Sequence, residues 1–195
     1  MLSTEELNKN IKEFWPREGP AISEIEKYIK KYSKERIVIK CGGRVLSDPL
    51  LFENFIDDVS ILKKLGLTPI VVHGGGPRIK KKLIALNIET KFIMGLRVTD
   101  EKIIKVVEEV MIEFNKEIVT ALENKNCKAK SITVKENNSI YVEQKNKVLG
   151  YVGKPTQIND KLINHLIKNN FIPIVSPMGI DKKKQTYNIN ADTAA

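Results

Sequence analysis

Along the chain, apolar runs of strand length alternate with segments whose apolar residues recur at helical spacing. This alternation predicts β-α-β units around a mostly parallel sheet. Residues 36–40 read as a buried strand ending in Cys41, Gly42 and Gly43. A helix is predicted over 50–65, with Phe52, Phe55, Ile56, Val59 and Leu62 on one face and Gly66 as its stop. The second strand, 68–73, runs straight into Gly74, Gly75 and Gly76, and Pro77 fits the first position of a helix over 78–86 closed by Asn87. Thr99 is placed as the cap of a long helix, 100–124, whose Ile103, Val107, Val110, Phe114, Ile118 and Leu122 keep one face apolar. Segments 131–134 and 140–143, separated by Asn137 and Asn138, predict a pair of strands. An amphipathic helix over 160–169 buries Leu162, Ile163, Leu166 and Ile167, and 171–176 is a further strand. In such a fold, chemistry gathers at the strand ends.

Ahead of this pattern lie two charged helical stretches, 4–14 and 21–32, split by a linker at 15–20. The organisation expected is therefore an N-terminal helical arm, 1–35, and a main lobe, 36–195. In the second stretch Ile22, Ile25 and Ile29 form a stripe that Tyr32 extends. A helix this short is marginal alone, so the stripe predicts packing against another subunit. No apolar run approaches the roughly 20 residues a membrane helix needs, and the acidic N-terminus has no signal-peptide core. Cys41 and Cys127 lie far apart with no Cys-x-x-Cys, which argues against a disulfide scaffold or a zinc site and for a reducing cytoplasm.

The net charge of +9 raises the question of nucleic acid. Its distribution answers against it, because the lysines are scattered over every segment and are not interleaved with aromatics. Solvated helix faces and steering of small anions account for it better. The chemistry-bearing features are the two glycine turns, each following a strand and preceding a helix. Glycines there let backbone amides approach an anion, and a helix N-terminus adds unpaired N–H groups. Neither turn fits the dinucleotide fingerprint or the Walker loop, and 153–155 fails the latter because Pro155 replaces the hydroxyl residue. Lys40 closes an apolar strand, where its ammonium is suited either to solvent or to phosphoryl oxygens. Arg97, just ahead of the long helix, carries a planar fork suited to a carboxylate. At the C-terminal end, Asn188, Asn190 and Asp192 alternate like a calcium loop but lack its glycine and closing glutamate, so no metal is expected. Asp192 instead reads as the start of a helix. His73 and His165 match no Ser or Cys nucleophile with a third orienting group.

Taken in order, IVIKCGG (37–43), VVHGGGP (71–77), GLRVTD (95–100), NKEIV (115–119), FIPIV (171–175) and YNINAD (187–192) resemble the amino-acid kinase family over residues 21–195. Within it they resemble the members that phosphorylate N-acetyl-L-glutamate. The resemblance implies a three-layer α/β/α sandwich around a mostly parallel sheet. It implies transfer of the γ-phosphate of ATP, brought as its Mg complex, to the side-chain carboxylate of N-acetyl-L-glutamate in arginine biosynthesis. Lys40 would stabilise the transferring phosphoryl group and Asp192 would orient that lysine. Gly42 and Gly43 would offer amides to phosphate, Gly75 and Gly76 to substrate, and Arg97 and Asn188 would hold the substrate's α-carboxylate. Cys41 and Arg44 depart from the family's usual residues. The resemblance also implies a homo-oligomer, a dimer or a hexamer, and a C-terminal nucleotide-binding lobe not contained in these 195 residues. A kinase for an aminoadipate derivative or for aspartate, and a non-catalytic binding or regulatory lobe, remain open alternatives.

Overall fold

The computed structural model describes residues 3–15, 19–33 and 35–195. Four parallel strands form the central sheet in the order β1 (Arg36–Cys41), β2 (Thr68–His73), β8 (Ile172–Val175) and β5 (Ala129–Ile132). The side-chain period of two sends alternate residues of β2 to opposite faces. Val71 joins a core with Ile174, Ile56 and Val59 of α3 (Pro49–Lys64), and Phe114, Ile118 and Leu122 of α5 (Glu101–Asn124). Ile70 and Val72 face the other way, toward Leu166 of α6 (Asp160–Lys168).

The second face is shared by α6 and another sheet, ordered β10 (Thr186–Asn188), β9 (Met178–Ile180), β6 (Ile140–Gln144) and β7 (Gly153–Ile158). Ile140, Val142 and Tyr187 from this sheet complete that core. A third cluster joins α5 to α4 (Gly76–Ala85) through Ile79, Leu83, Val107 and Met111. The result is a mixed α/β fold in layers, its parallel sheet flanked by helices.

Two expectations are corrected. Residues 129–132 and 140–144 do not pair with each other: β5 runs parallel to β8, whereas β6 pairs with β7 and β9 in the other sheet. The turn chemistry at Asn137, whose φ is 58°, redirects the chain between sheets instead of closing a hairpin. The cap of α5 is Asp100, not Thr99. Asp100 accepts the amides of Lys102 and Ile103 at 2.9 and 2.8 Å, while the fully buried Thr99 donates its hydroxyl to the Arg97 carbonyl. The apolar face expected of α6 does meet the core, with Leu166 buried and Leu162, Ile163 and Ile167 half-buried against it.

The N-terminal arm forms α1 (Thr4–Phe14) and α2 (Ile22–Tyr32), and residues 16–18 of the linker lie outside the described residues. Ile25 and Ile29 are buried within the chain against Ile11 and Leu65. Their stripe is thus occupied by α1 and α3, and what α2 leaves exposed is Ile22, Tyr28 and Tyr32. Among the described residues no helix is long and apolar enough to cross a membrane.

Ile118 sits in the middle of α5 with no exposed surface. Ile118→Ala should lower unfolding free energy by about 2–5 kcal/mol, read from urea midpoints at unchanged slope. A loss below about 1 kcal/mol would contradict its central place in the core.

Candidate active site

The site is built where β1 and β2 stop together. Their parallel register pairs Lys40 with Val72 and Cys41 with His73, so both glycine turns leave the sheet at one level. The amide of Gly74 donates to the Cys41 carbonyl at 2.8 Å. A Cβ on Gly74 would lie 2.9 Å from the Gly43 amide nitrogen, and one on Gly43 would lie 2.8 Å from Pro77 Cδ and 3.1 Å from the Gly76 nitrogen. The turns are therefore in backbone contact, and side chains at Gly43 and Gly74 would force them apart. Gly42 and Gly76 instead border open space. α4 begins here with Gly75 as its cap and no side chain bonding its first amides, which leaves those donors available to an anion.

Beside this double turn lies a cleft of about 170 Å³. Gly74, Gly75 and Gly76 form one wall, Arg97 another, and Asn188 and Ala191 a third. Arg97 lies on β4 (Leu96–Arg97), the return strand of a hairpin with β3 (Phe92–Ile93). It is 7% exposed, which displaces its pKa downward through lost hydration. Its Nη1 donates to Thr90 Oγ1 at 2.9 Å, its Nη2 reaches the Gly76 carbonyl at 3.4 Å, and its plane lies 4.7 Å from the Phe92 ring centroid. Among the described residues no carboxylate pairs with it, so a buried cation faces the cleft with its charge uncompensated.

Lys40 Nζ lies 2.6 Å from Asp192 Oδ1. Asp192 stands in the first turn of α7 (Ala191–Ala194), which Asn190 caps by accepting the amides of Asp192 and Thr193. The structure thus gathers Gly75, Gly76, Arg97 and Asn188 around one cleft. Lys40, Gly42, Gly43 and Asp192 do not line it. Lys40 and its partner Asp192 sit next to Ala191, and Gly43 backs the glycine turn.

Met111 and Phe92 also line the cleft and were missed in the sequence, and Asn190, noted there only as part of the Asn188, Asn190, Asp192 alternation, lines it as well. Asn190 carried a signal, an Asn-x-Asp start to a helix. Met111 had none beyond its place on the apolar face of α5. A larger concavity of about 570 Å³ lies between α4 and α5, lined by Arg78, Lys81, Lys82 and Glu113, and it contains none of the predicted site residues.

The residues that build this site define the chain's class: it belongs to the amino acid kinase family, whose profile matches residues 35–195. It is 58% identical over 180 residues to the acetylglutamate kinase of Pelagibacter ubique, covering 92% of this chain and 62% of that protein. It is 43% identical over 171 residues to the acetylglutamate kinase of Petrotoga mobilis, covering 86% and 57%. The chain thus spans about six-tenths of the length of these curated relatives. Among solved structures it resembles smu.665 from Streptococcus mutans UA159 with a TM-score of 0.76 and 29% identity, over 83% of this chain and 66% of that one.

His73, the last residue of β2, has no exposed surface, and loss of hydration lowers its pKa to about 4. In the unfolded chain its imidazole takes a proton as pH falls through about 6.5, but in the folded chain not until about 4. The unfolded state binds more protons between those values, so stability falls as pH drops through the window, by about 3 kcal/mol at its lower end. Between pH 7 and 4.5, His73→Gln should lose about 2 kcal/mol less stability than the wild type in urea titrations. Equal losses would mean that His73 is not held neutral.

Proposed function

We propose that this chain carries the acid-substrate side of a phosphotransferase that moves the γ-phosphate of ATP to the side-chain carboxylate of N-acetyl-L-glutamate, in arginine biosynthesis. The observation that carries the reading is Arg97. It is a buried guanidinium without a carboxylate partner among the described residues, and it lines one cleft together with the glycine backbone of 74–76.

In this reading Arg97 and Asn188 grip the α-carboxylate, the guanidinium through two parallel hydrogen bonds. Gly75 and Gly76 offer backbone amides to the substrate, and Gly42 and Gly43 offer theirs to phosphate. A side-chain carboxylate oxygen attacks the γ-phosphorus and the bond to the bridging oxygen breaks, releasing ADP and an acyl phosphate. Negative charge spreads over the phosphoryl oxygens during this transfer, and Lys40 is the cation that meets it. Asp192, at 2.6 Å, holds the ammonium in place. The attacking carboxylate, with a reference pKa of about 4.3, is already ionised at neutral pH, so no general base is required.

In this reading Mg²⁺ arrives with the nucleotide's phosphates, as their complex. The same reading takes the cytoplasm as compartment, supported by two buried free thiols, Cys41 and Cys127. It also takes residues 1–35 as an arm that joins copies of the chain into a homo-oligomer, with Ile22, Tyr28 and Tyr32 as the exposed groups it offers.

Steady-state ADP release by the full-length protein tests these roles. Lys40→Ala should lower kcat by about a hundredfold or more with little change in the KM for acetylglutamate, because the lysine acts mainly on the transition state. Activity within threefold of wild type would remove Lys40 from the reaction. Arg97→Lys keeps the charge but loses the fork, so the acetylglutamate KM should rise about tenfold or more while the ATP KM barely moves. Equal effects on both would show that Arg97 is not the substrate clamp.

A further inference from the structure

His73 takes no part in the proposed chemistry, yet it is buried without remainder directly beneath the glycine turn. Asn115 of α5, also fully buried, reaches across the sheet to it. Ser131 Oγ, on β5, donates to Asn115 Oδ1 at 2.5 Å. Asn115 Nδ2 donates to the Ile174 carbonyl of β8 at 2.8 Å and lies 3.1 Å from His73 Nε2 on β2.

The direction of this chain of hydrogen bonds is forced. A backbone carbonyl only accepts, so the Asn115 atom facing Ile174 is the NH₂ group. Its second hydrogen then points at His73 Nε2, which must be the unprotonated ring nitrogen. The imidazole proton therefore sits on Nδ1, on the side of the Gly74 backbone. Nδ1 has no hydrogen-bond partner of good geometry among the described residues. An imidazolium would set N–H against N–H at Asn115, and the nearby Arg78 guanidinium opposes the charge further.

The turn above is tied to both ends of this network. Gly74 follows His73 directly and is bonded to Cys41, and a Cβ on Gly75 would collide with Met111 Sδ, one turn before Asn115 on α5. We propose that Ser131, Asn115 and His73 form a positioning relay that holds His73 as the neutral Nδ1–H tautomer and thereby fixes the 74–76 turn against the cleft. Its consequence for acetylglutamate rests on the function proposed above, whereas the relay itself does not.

Two measurements judge the relay without any ligand. Imidazole nitrogen shifts of the wild-type chain at pH 7 should report the Nδ1–H tautomer for His73. The Nε2–H tautomer or the cation would overturn the relay. Ser131→Ala removes a hydroxyl that touches Asn115 and none of the glycines, so it should displace the His73 ring signals and the amide signals of Gly74 and Gly75. Changes confined to β5 would overturn it.

Calorimetric binding of N-acetyl-L-glutamate supplies the functional readout. His73→Leu, which has no acceptor for Asn115, should weaken binding about tenfold or more, because a small displacement of the turn is costly. His73→Gln, which sets a carbonyl oxygen where Nε2 was, should stay within about threefold of wild type. If the wild type binds and both variants bind equally, the positioning claim fails. If the wild-type full-length protein does not bind, the proposed substrate fails, and the two resonance measurements still decide the relay.

Discussion

The hydrogen bond from the Gly74 amide to the Cys41 carbonyl is the constraint on which the rest of the site depends. It continues the β1–β2 ladder one residue past the last pair, Cys41 and His73, and so brings two turns from distant parts of the sequence into backbone contact. No side chain fits between them, which is why glycine stands at Gly43 and Gly74. Once the turns are locked together, the open glycines, Gly42 and Gly76, present bare backbone outward, and α4 starts with its amides unpaired. A one-residue slip between β1 and β2 would invert the faces of the strand and separate the turns together. Fold register and site geometry are in this sense a single quantity.

α5 is what makes the register worth keeping. Phe114, Ile118 and Leu122 fill the core against β2 and β8, while Val107 and Met111 on the same helix hold α4. The helix therefore grips both the strands that deliver the turns and the helix that the second turn begins. Asn115 is the polar exception on its buried side. Its cost is offset because both hydrogens and the oxygen of its amide are engaged.

Much of the central sheet could be read from the chain because its strands are apolar runs closed by glycine, and because α5 has a long, regular stripe. The bounds expected for the strands at 36–40 and 68–73 fall within a residue of β1 and β2. Of the second sheet only β6 was read, as the strand expected at 140–143, and its partners were illegible for a physical reason. β7 reads GKPTQI and β9 reads MGI, so one is polar and the other too short to show alternation. They are strands because β6 offers them a partner, which is a tertiary fact. The hairpin that carries Arg97 is two residues a side and exposes Phe92 and Ile93, so it too leaves no pattern. From the residues themselves Arg97, Asn188, Gly75 and Gly76 were legible only as separate motifs, and it was the family resemblance that grouped them around one substrate. That they share one cleft follows from how β4 and β10 are placed, and no spacing in the sequence encodes it.

The site's two cations sit in opposite electrostatic regimes, and the difference bears on the proposed reaction. The Lys40–Asp192 pair is open to water, with the aspartate side chain 69% exposed, so it contributes little to stability. What a short contact of this kind supplies is direction, an ammonium held at the end of β1 beside the turns. Arg97 is the reverse case: buried, and partnered among the described residues only by neutral oxygens and an aromatic face, it carries a desolvation cost that these contacts do not recover. In the proposed reaction the substrate's carboxylate would recover it, and a neutral ligand of the same shape would not. Discrimination in the proposed reaction therefore lies with Arg97, where an unmatched partner is costly, and rate lies with Lys40, where screening by water weakens ground-state attraction and leaves the transferring group to draw most from the charge.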